Sequence, residues 1–334
     1  MSLVSVLIPV YQAAAHIGTA IRSALAQPEV GEVIVIDDAS RDGSADAALA
    51  ADDGSGRLRI RRLAQNSGPG TARNIALEMA QMPLVALLDA DDLFVPGRFA
   101  RLLGVGNGNW DFVADNIAFV SSPTDPIPPD WIVPKIIPSR WLQLRDFIEE
   151  NISNPFRLRA EMGFLKPVMR RSVLEKFNLR YDPSLRLGED FLLYSLALVR
   201  GARFSVTSGC GYLAVVRDES LSARHAISDL RAQADADHML IAEARARGLP
   251  EEDIRLICKH LKVIEDKVLV RQFLEDRKRQ GRAGALVAQM TQPGRLARTV
   301  RMLIRDRMAM RWQENVLPRR LIPERFFQPD DRFQ

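Results

Sequence analysis

Carboxylate side chains gather at three points of the sequence, two directly after apolar runs of strand length and one at the start of an apolar segment of helix length. They are Asp37 and Asp38, then Asp89, Asp91 and Asp92, and finally Glu189 and Asp190. A single acid beside a helix start often caps that helix, which would explain Asp190. Three acids in the segment DADD repel one another unless a cation lies between them. Oxygen ligands suit Mg²⁺ or Mn²⁺, which normally share their coordination with substrate phosphates.

The segment from Asn66 to Asn74, NSGPGTARN, offers groups that bind phosphate. Its two glycines let the backbone approach a ligand closely. Arg73 would lie about one turn into the following helix, where its planar guanidinium can contact phosphate oxygens. The segment lacks the Lys-Ser/Thr pair of a P-loop and the GxGxxG of a dinucleotide site, so a helix start with a surface arginine explains it equally well. Together with the acidic cluster, however, it indicates a substrate that carries phosphate.

The elements that must position these groups alternate between short apolar runs and helical patterns over the first 120 residues. Strands are expected at residues 4–10, 32–36, 58–63 and 84–88, and helices at 16–27, 44–51 and 70–82. This alternation predicts an α/β fold with a mainly parallel central sheet and helices on both faces. Such sheets bind ligands beyond the carboxyl ends of their strands, where the polar residues collect. Further strands are expected at 164–169 and 204–206, with a helix at 191–200, and the chain is expected to be helical from about residue 230.

Length and composition indicate a globular protein, with 334 residues, 47% hydrophobic and 26% charged. Two distant cysteines, Cys210 and Cys258, cannot build a disulfide scaffold, which indicates a reducing compartment. The N-terminal MSLVSVLIPVY has no basic leader, and no stretch approaches the roughly 18 apolar residues of a membrane span. We therefore expect a cytoplasmic protein.

The order of the motifs resembles glycosyltransferase family 2, whose members are inverting, nucleotide-sugar-dependent enzymes with a GT-A fold. The motifs are VSVLIPVYQAAAHIGTAIRSAL, VIVIDDASRDGS, NSGPGTARNIAL, VALLDADD and GED, within residues 2–225. The resemblance implies a GT-A catalytic domain at 1–228, with a nucleotide-sugar-binding half at 1–120 and an acceptor half at 121–228. A basic helical extension would follow at 229–334.

Roles for individual residues follow from the resemblance. It implies nucleotide-sugar contacts from Pro9, Tyr11, Asp38, Asn66, Gly68, Arg73, Asp89, Ala90, Asp91 and Arg217. Asp89 and Asp91 form the family's DxD pair and would hold Mn²⁺ or Mg²⁺, with Asp91 the direct ligand. Asp190 would be the catalytic base. The acceptor is expected near Glu189, Trp131 and Lys166, although a solvated Lys166 and a Trp131 buried under its proline-rich loop fit equally well.

One segment narrows the resemblance to a type of substrate. Residues 163–194, GFLKPVMRRSVLEKFNLRYDPSLRLGEDFLLY, are most similar to glycosyltransferases of succinoglycan-type exopolysaccharide assembly. This implies transfer of a hexose, with glucose ahead of galactose, from a UDP-sugar to a growing saccharide linked to a lipid diphosphate. One position departs from the family, because Ala39 stands where glycine is frequent.

The C-terminal third carries most of the positive charge. Between residues 277 and 320 there are 12 Lys and Arg against Asp306 and Glu314. Within residues 295–305, apolar and arginine side chains take opposite helical faces. Such a helix suits either an anionic membrane surface, on the cytoplasmic face of the inner membrane, or packing against protein. Both a monomer and a homodimer fit. Few aromatics and no nucleic-acid module accompany the charge, so no nucleic-acid partner is expected.

Two other classes of function share parts of the pattern. A sugar nucleotidyltransferase would use a similar sheet and a carboxylate-bound cation. It usually carries a glycine-rich loop with Lys or Arg after the first strand, where this chain has PVYQAAAHIG. The release of pyrophosphate from a nucleoside triphosphate would distinguish it. The other class is a non-catalytic protein that retains the fold, and the joint presence of Arg73, Asp91 and Asp190 argues against it.

Overall fold

The computed structural model describes residues 3–125, 139–152, 162–216, 226–290, 294–316 and 324–325. The chain divides into two compact units. The first comprises Met1–Gln143, Gly163–Asp218 and Leu321–Gln334, and the second Leu144–Met162 and Glu219–Arg320. Trp131, most of its proline-rich loop and Arg217 lie outside the described residues.

A mixed sheet forms the core of the first unit. Its strands are β1 (Val4–Val10), β2 (Val30–Asp37), β3 (Leu58–Arg62), β4 (Leu84–Leu87), β5 (Leu93–Phe94), β6 (Phe112–Val120), β7 (Ser139–Leu142), β8 (Val168–Arg170), β9 (Phe204–Val215) and β10 (Glu324–Arg325). The strand order is β3-β2-β1-β4-β8-β6-β9-β5, with β7 paired to β9 and β10 to β6.

The first four strands are parallel to one another, as the alternation of the sequence predicts. Their carboxyl ends therefore meet at one edge of the sheet. β8 then runs antiparallel to both β4 and β6, while β6 and β9 are parallel. The sequence pattern does not predict β6, although this strand is buried along almost its whole length. Its polar residues Asp115 and Asn116 interrupt the apolar run, and both are buried.

Most of the helices lie where the apolar periodicity predicts them. They are α1 (Ile17–Leu25), α2 (Ser44–Leu49), α3 (Pro69–Met79), α4 (Arg98–Gly104), α5 (Leu144–Asn151), α6 (Arg171–Lys176), α7 (Glu189–Val199), α8 (Ile227–Ala246), α9 (Glu251–Met290) and α10 (Arg295–Val316). In α1, the apolar side chains of Ile17, Ile21, Ala24 and Leu25 are buried, as expected of an amphipathic helix that packs on a sheet. The fold class expected from the sequence, α/β with C-terminal helices, is thereby confirmed.

The second unit is helical and consists of α5, α8, α9 and α10 with their connections. α9 is interrupted at Gly281, whose φ of 73° lies in the left-handed region. A buried contact of 2.8 Å between Asp237 and His260 Nδ1 joins α8 to α9. Among the described residues, no helix has the length and apolar character needed to cross a bilayer.

Candidate active site

Six of the predicted nucleotide-sugar residues lie at or just beyond the carboxyl ends of β1, β2 and β4, namely Pro9, Tyr11, Asp38, Asp89, Ala90 and Asp91. The backbone N–H of Asp38 donates to the Val10 carbonyl at 2.8 Å, and this bond ties the ends of β1 and β2 together. Just beyond Val10, the Tyr11 side chain is 52% exposed and could stack on a ligand. Pro9 is half-buried within β1.

Asp38 anchors the loop that precedes α3. Its two carboxylate oxygens accept the backbone N–H groups of Ser67 at 2.7 Å and Gly68 at 2.9 Å. The Asn66 side-chain amide donates to the Asp38 carbonyl at 3.3 Å. Asp38 is buried, whereas Asn66 is exposed. The predicted contact of Asp38 with the nucleotide stays a prediction, and the described contacts show a carboxylate that shapes the loop.

Gly68 and Gly70 are each required for a different structural reason. Gly68 has a φ of 86°, a conformation that side-chain-bearing residues rarely adopt. At Gly70, a Cβ atom would come within 2.9 Å of the Asp182 carbonyl oxygen, so only glycine permits this approach of α3 to the segment before α7. Asp38 thus holds the loop on one side, and the close approach of Gly70 to Asp182 fixes the start of α3 on the other.

Arg73, in the first half of α3, points into the protein rather than to solvent. Its guanidinium pairs with the Glu189 carboxylate through Nη1 and with Asp89 Oδ1 through Nη2, the latter at 3.2 Å. It also lies 5.4 Å from the ring centroid of Tyr181. Asn74 holds Tyr181 in place by bonding both its N–H and its C=O. Arg73 therefore lies beside the DxD segment and the Glu-Asp pair at once, which the sequence did not indicate.

Glu189 and Asp190 form the first turn of α7. Gly188 precedes them with a φ of 83°, and this left-handed residue turns the chain into the helix. Both acids are buried. The positive end of the helix dipole favours carboxylates at this position. A buried carboxylate nevertheless needs a partner, and each of the two has one.

The partner of Asp190 is Lys166, which lies in the loop before β8. Lys166 Nζ is 2.7 Å from Asp190 Oδ2 and 3.0 Å from Asp89 Oδ2. Acids and bases consequently alternate through the site, and the order is Glu189, Arg73, Asp89, Lys166, Asp190. Along this series of ion pairs each group contacts one of opposite charge, which offsets part of the desolvation of each group.

Protonation states follow from this arrangement. Burial would raise the pKa of Asp89, but Lys166 and Arg73 outweigh it and lower that pKa to about 2. Burial favours neutral lysine, yet Asp190 and Asp89 raise the pKa of Lys166 above its usual value. For Glu189, burial raises the pKa despite the opposing effect of Arg73. At neutral pH the site therefore contains an ionised Asp89 and a charged Lys166.

Asp89 and Asp91 fit a hard divalent cation by the chemistry of their donors. Both supply carboxylate oxygens, and the ionisation of Asp89 is assured. In the described part of the chain, no three acidic, histidine or cysteine side chains come together as a metal cluster. Mg²⁺ and Mn²⁺ are commonly held by only one or two carboxylates plus phosphate oxygens of the substrate, so the pair is sufficient. Ala90, between them, is buried.

Two buried side chains, those of Tyr212 and Arg98, support the site, and no motif in the sequence indicates either of them. Tyr212 Oη donates to Asp92 Oδ2 at 2.7 Å and accepts the Asp89 backbone N–H at 3.1 Å. Arg98, fully buried in α4, pairs with Asp115 at 2.8 Å and donates to the Lys166 carbonyl. Nothing in the sequence singles out Arg98, because a lone arginine in an amphipathic helix is usually exposed.

Comparison with protein families and curated proteins gives consistent matches. The sequence model of the family described as Glycosyl transferase family 2 matches residues 5–176. The succinoglycan biosynthesis protein ExoU of Rhizobium meliloti is 42% identical over 91% of this chain and 87% of its own. ExoO from the same organism is 32% identical over 87% and 82% of the two chains. An Escherichia coli protein named UDP-Glc:alpha-D-GlcNAc-diphosphoundecaprenol beta-1,3-glucosyltransferase WfgD is 25% identical over 63% of this chain and 75% of its own.

Solved structures share the fold at lower sequence identity. The crystal structure of S. aureus TarS 1-349 in complex with UDP-GlcNAc has a TM-score of 0.63 at 18% identity, and covers 95% of this chain and 93% of that one. The mannosyltransferase PcManGT from Pyrobaculum calidifontis, in complex with GDP-Man and Mn²⁺, has a TM-score of 0.52 at 18% identity, with 93% and 82% covered. The GT-A fold class expected from the sequence is confirmed by these likenesses.

Proposed function

Because this chain belongs to glycosyltransferase family 2 and is a glycosyltransferase, we propose that it moves a hexose, glucose first among the candidates, from a UDP-sugar to a growing exopolysaccharide. The acceptor is a saccharide carried on a lipid diphosphate. The relatives named for succinoglycan biosynthesis and the one named for transfer from UDP-Glc to a lipid-diphosphate sugar support this choice. The observation that carries the proposal is the alternating set of charges that links Asp89 to Asp190 through Lys166.

Donor binding is assigned to the carboxyl edge of the parallel strands. The nucleoside lies against Pro9, Tyr11 and the loop that Asp38 anchors, with Asn66 and Gly68 beside it. Arg73 faces the diphosphate, and Arg217, which lies outside the described residues, is proposed as a second cationic contact to it. The exposed Tyr11 ring supports base stacking. The guanidinium of Arg73, already beside Asp89, supports a role in balancing the negative charge of the leaving group.

Asp91 and Asp89 would hold Mg²⁺ or Mn²⁺ together with the donor diphosphate. When bound, the cation supplies charge stabilisation to the phosphate oxygens. Among the protein's own groups, the low pKa of Asp89, about 2, keeps that ligand ionised across the neutral range. The Asp89 carboxylate must then share its oxygens between the cation and its present partners, Arg73 and Lys166.

Asp190 takes the proton of the acceptor. As the acceptor oxygen forms its bond to the anomeric carbon, the bond from that carbon to the β-phosphate oxygen breaks, and UDP leaves with the electron pair. The hydroxyl proton goes to the Asp190 carboxylate. A single displacement of this kind inverts the configuration at the anomeric carbon. Glu189, paired with Arg73, and Trp131 would border the acceptor.

The C-terminal region 229–334 is assigned to membrane attachment of the catalytic domain 1–228, through residues 277–320, on the cytoplasmic face of the inner membrane. Val300, Ile304 and Met308, spaced by four residues on α10, are all exposed. Arg301 and Arg307 are exposed on the same helix. Apolar side chains among arginines are what an anionic lipid surface binds. Co-sedimentation with phosphatidylglycerol vesicles tests this attachment. The wild-type chain should bind the vesicles, and a Val300→Asp, Ile304→Asp variant should not.

The transfer itself is tested by measuring UDP release from UDP-glucose, UDP-galactose and UDP-GlcNAc with Mn²⁺ and a lipid-diphosphate-linked saccharide acceptor. Wild type should release UDP from one hexose donor, and Asp190→Asn should lose about 10²–10⁴-fold in rate while it still binds UDP. Asp46→Asn, on the exposed part of α2, serves as the matched control. If Asp190→Asn transfers the sugar at the wild-type rate, the base is another residue, and Glu189 is the first candidate. Pyrophosphate release from UTP and a sugar phosphate would indicate a nucleotidyltransferase instead.

A further inference from the structure

Lys166 is unusual among the lysines that the structure describes, because it is buried, at 6% exposure, between two carboxylates of the site. Its Nζ atom lies 2.7 Å from Asp190 Oδ2 and 3.0 Å from Asp89 Oδ2. An ammonium group held this way is not displayed to solvent as a contact for an incoming saccharide. It bonds the base on one side and the first acid of the DxD pair on the other.

The backbone of Lys166 is bound by Arg98, a residue outside the proposed donor site. Arg98 Nη2 donates to the Lys166 carbonyl, and the same guanidinium bonds Asp115 through Nε at 3.0 Å and Nη2 at 2.8 Å. Pro167 follows, and the residue before a proline is confined to extended conformations. The position of Lys166 is thus set by packing before any ligand binds.

The two carboxylate oxygens of Asp190 therefore have different surroundings. Oδ2 accepts from Lys166, while Oδ1 is buried and has no hydrogen-bond partner among the described residues. The hydrogen bond from Lys166 orients the Asp190 carboxylate through Oδ2, and both lone pairs of Oδ1 stay open to a proton from another group.

We propose that Lys166 is a positioning residue for the catalytic base: it holds the Asp190 carboxylate through Oδ2 and leaves Oδ1 directed to the nucleophile. This inference rests on the proposed function, since it needs Asp190 to act as the base. It differs from a role of Lys166 in acceptor binding. A positioning lysine acts on the rate of the chemical step for every nucleophile, including water, whereas an acceptor contact acts only when a saccharide is present.

Hydrolysis of the donor separates the two roles. We would measure UDP release from UDP-glucose, with water as the only nucleophile, under single-turnover conditions. Lys166→Met keeps the length of the side chain and removes its charge. Lys176→Met, on an exposed position of α6, is the matched control. Calorimetric titration with UDP, run on each variant, reports whether the donor site is intact.

The expected result is a fall of about 10²-fold or more in the hydrolysis rate of Lys166→Met, with UDP affinity within about threefold of wild type and the Lys176→Met rate unchanged. Equal hydrolysis by wild type and Lys166→Met would overturn the inference while leaving the proposed function standing. A wild-type chain that neither binds UDP nor hydrolyses any UDP-sugar would overturn the proposed function, and the inference with it.

A second variant decides the matter if Lys166→Met loses UDP binding. In Lys166→Ala, added ethylammonium should restore hydrolysis as its concentration rises, because it can donate N–H groups to Asp190. Tetramethylammonium carries the same charge without an N–H donor and should restore nothing. Equal rescue by both ions, or by neither, would contradict a hydrogen-bonded positioning role.

Discussion

The hydroxyl of Tyr212 in β9 bonds the Asp92 carboxylate at 2.7 Å and also accepts the Asp89 backbone N–H at 3.1 Å. Asp92 Oδ1 in turn accepts the Val215 N–H at 2.9 Å. The third acid of the DADD segment is therefore a buried brace between the turn after β4 and the end of β9. It explains why three acids are found together when two would suffice for a cation.

Removing this brace should weaken both fold and site. In Tyr212→Phe, the Asp92 carboxylate and the Asp89 N–H lose a buried partner, and we expect a loss of about 1–3 kcal/mol in the free energy of unfolding. Metal-dependent UDP binding should weaken as well, because the turn that carries Asp91 is less constrained. Urea unfolding and calorimetric titration measure the two effects.

Tyr181→Phe is the matched comparison for stability. The Tyr181 hydroxyl is buried without a hydrogen-bond partner in the part of the chain that the structure describes. Its removal should cost less than the removal of the Tyr212 hydroxyl. Equal losses in the two variants would mean that the bond from Tyr212 to Asp92 contributes nothing specific.

Ala39 marks a strained position at the end of β2. Its φ is 61°, in the left-handed region where a Cβ atom crowds the backbone. Glycine avoids that crowding at some cost in chain entropy, so Ala39→Gly should stabilise the protein by about 0.5–1 kcal/mol. Ala50, at the end of α2 with φ of −65°, is the control, and Ala50→Gly should be neutral or destabilising. Destabilisation by Ala39→Gly would contradict the strain.

Glu32 should make the stability depend on pH below the neutral range. Burial alone would raise its pKa, but hydrogen bonds from the Gln81 N–H, Ser5 and Arg59 outweigh it, and the pKa is lowered from 4.5. A carboxyl whose pKa is lowered on folding stabilises the protein above its unfolded pKa, and this contribution is lost as pH falls through the folded value.

The stability difference between wild type and Glu32→Gln should therefore be largest above about pH 6 and shrink as the pH falls below the ordinary carboxyl range. Urea unfolding at a series of pH values measures it. Parallel curves for the two proteins across that range would show that the ionisation of Glu32 is not linked to folding.

Much of the first half of the fold could be predicted from the sequence, because β1, β2 and β4 are largely apolar runs with helical patterns between them. The strand at Val4–Val10 is expected from the sequence and is observed with the same bounds. β6 could not be predicted, since its interior contains Asp115, whose partner Arg98 lies 17 residues earlier on α4. A buried ion pair of this kind makes a core strand look polar.

The site could be predicted as a set of residues but not as an arrangement. The motifs indicate Asp89, Arg73 and Asp190, yet which acid pairs with which base depends on loops from distant parts of the chain. Lys166 reaches Asp190 across 24 residues, and Arg73 reaches Glu189 across 116. The expectation that Lys166 lies near the acceptor stays a prediction, and its bonds to Asp89 and Asp190, which the sequence does not indicate, are the basis of the positioning role proposed for it.

The proposed UDP-sugar site around Asp91 needs a divalent cation. Titration calorimetry of the chain with UDP, with and without Mn²⁺, measures this requirement when wild type is compared with Asp91→Ala. We expect binding that depends on Mn²⁺ in wild type and is lost or strongly weakened in Asp91→Ala. Binding of equal strength with and without Mn²⁺, unchanged in the variant, would contradict the metal site, and no binding in wild type would contradict the donor.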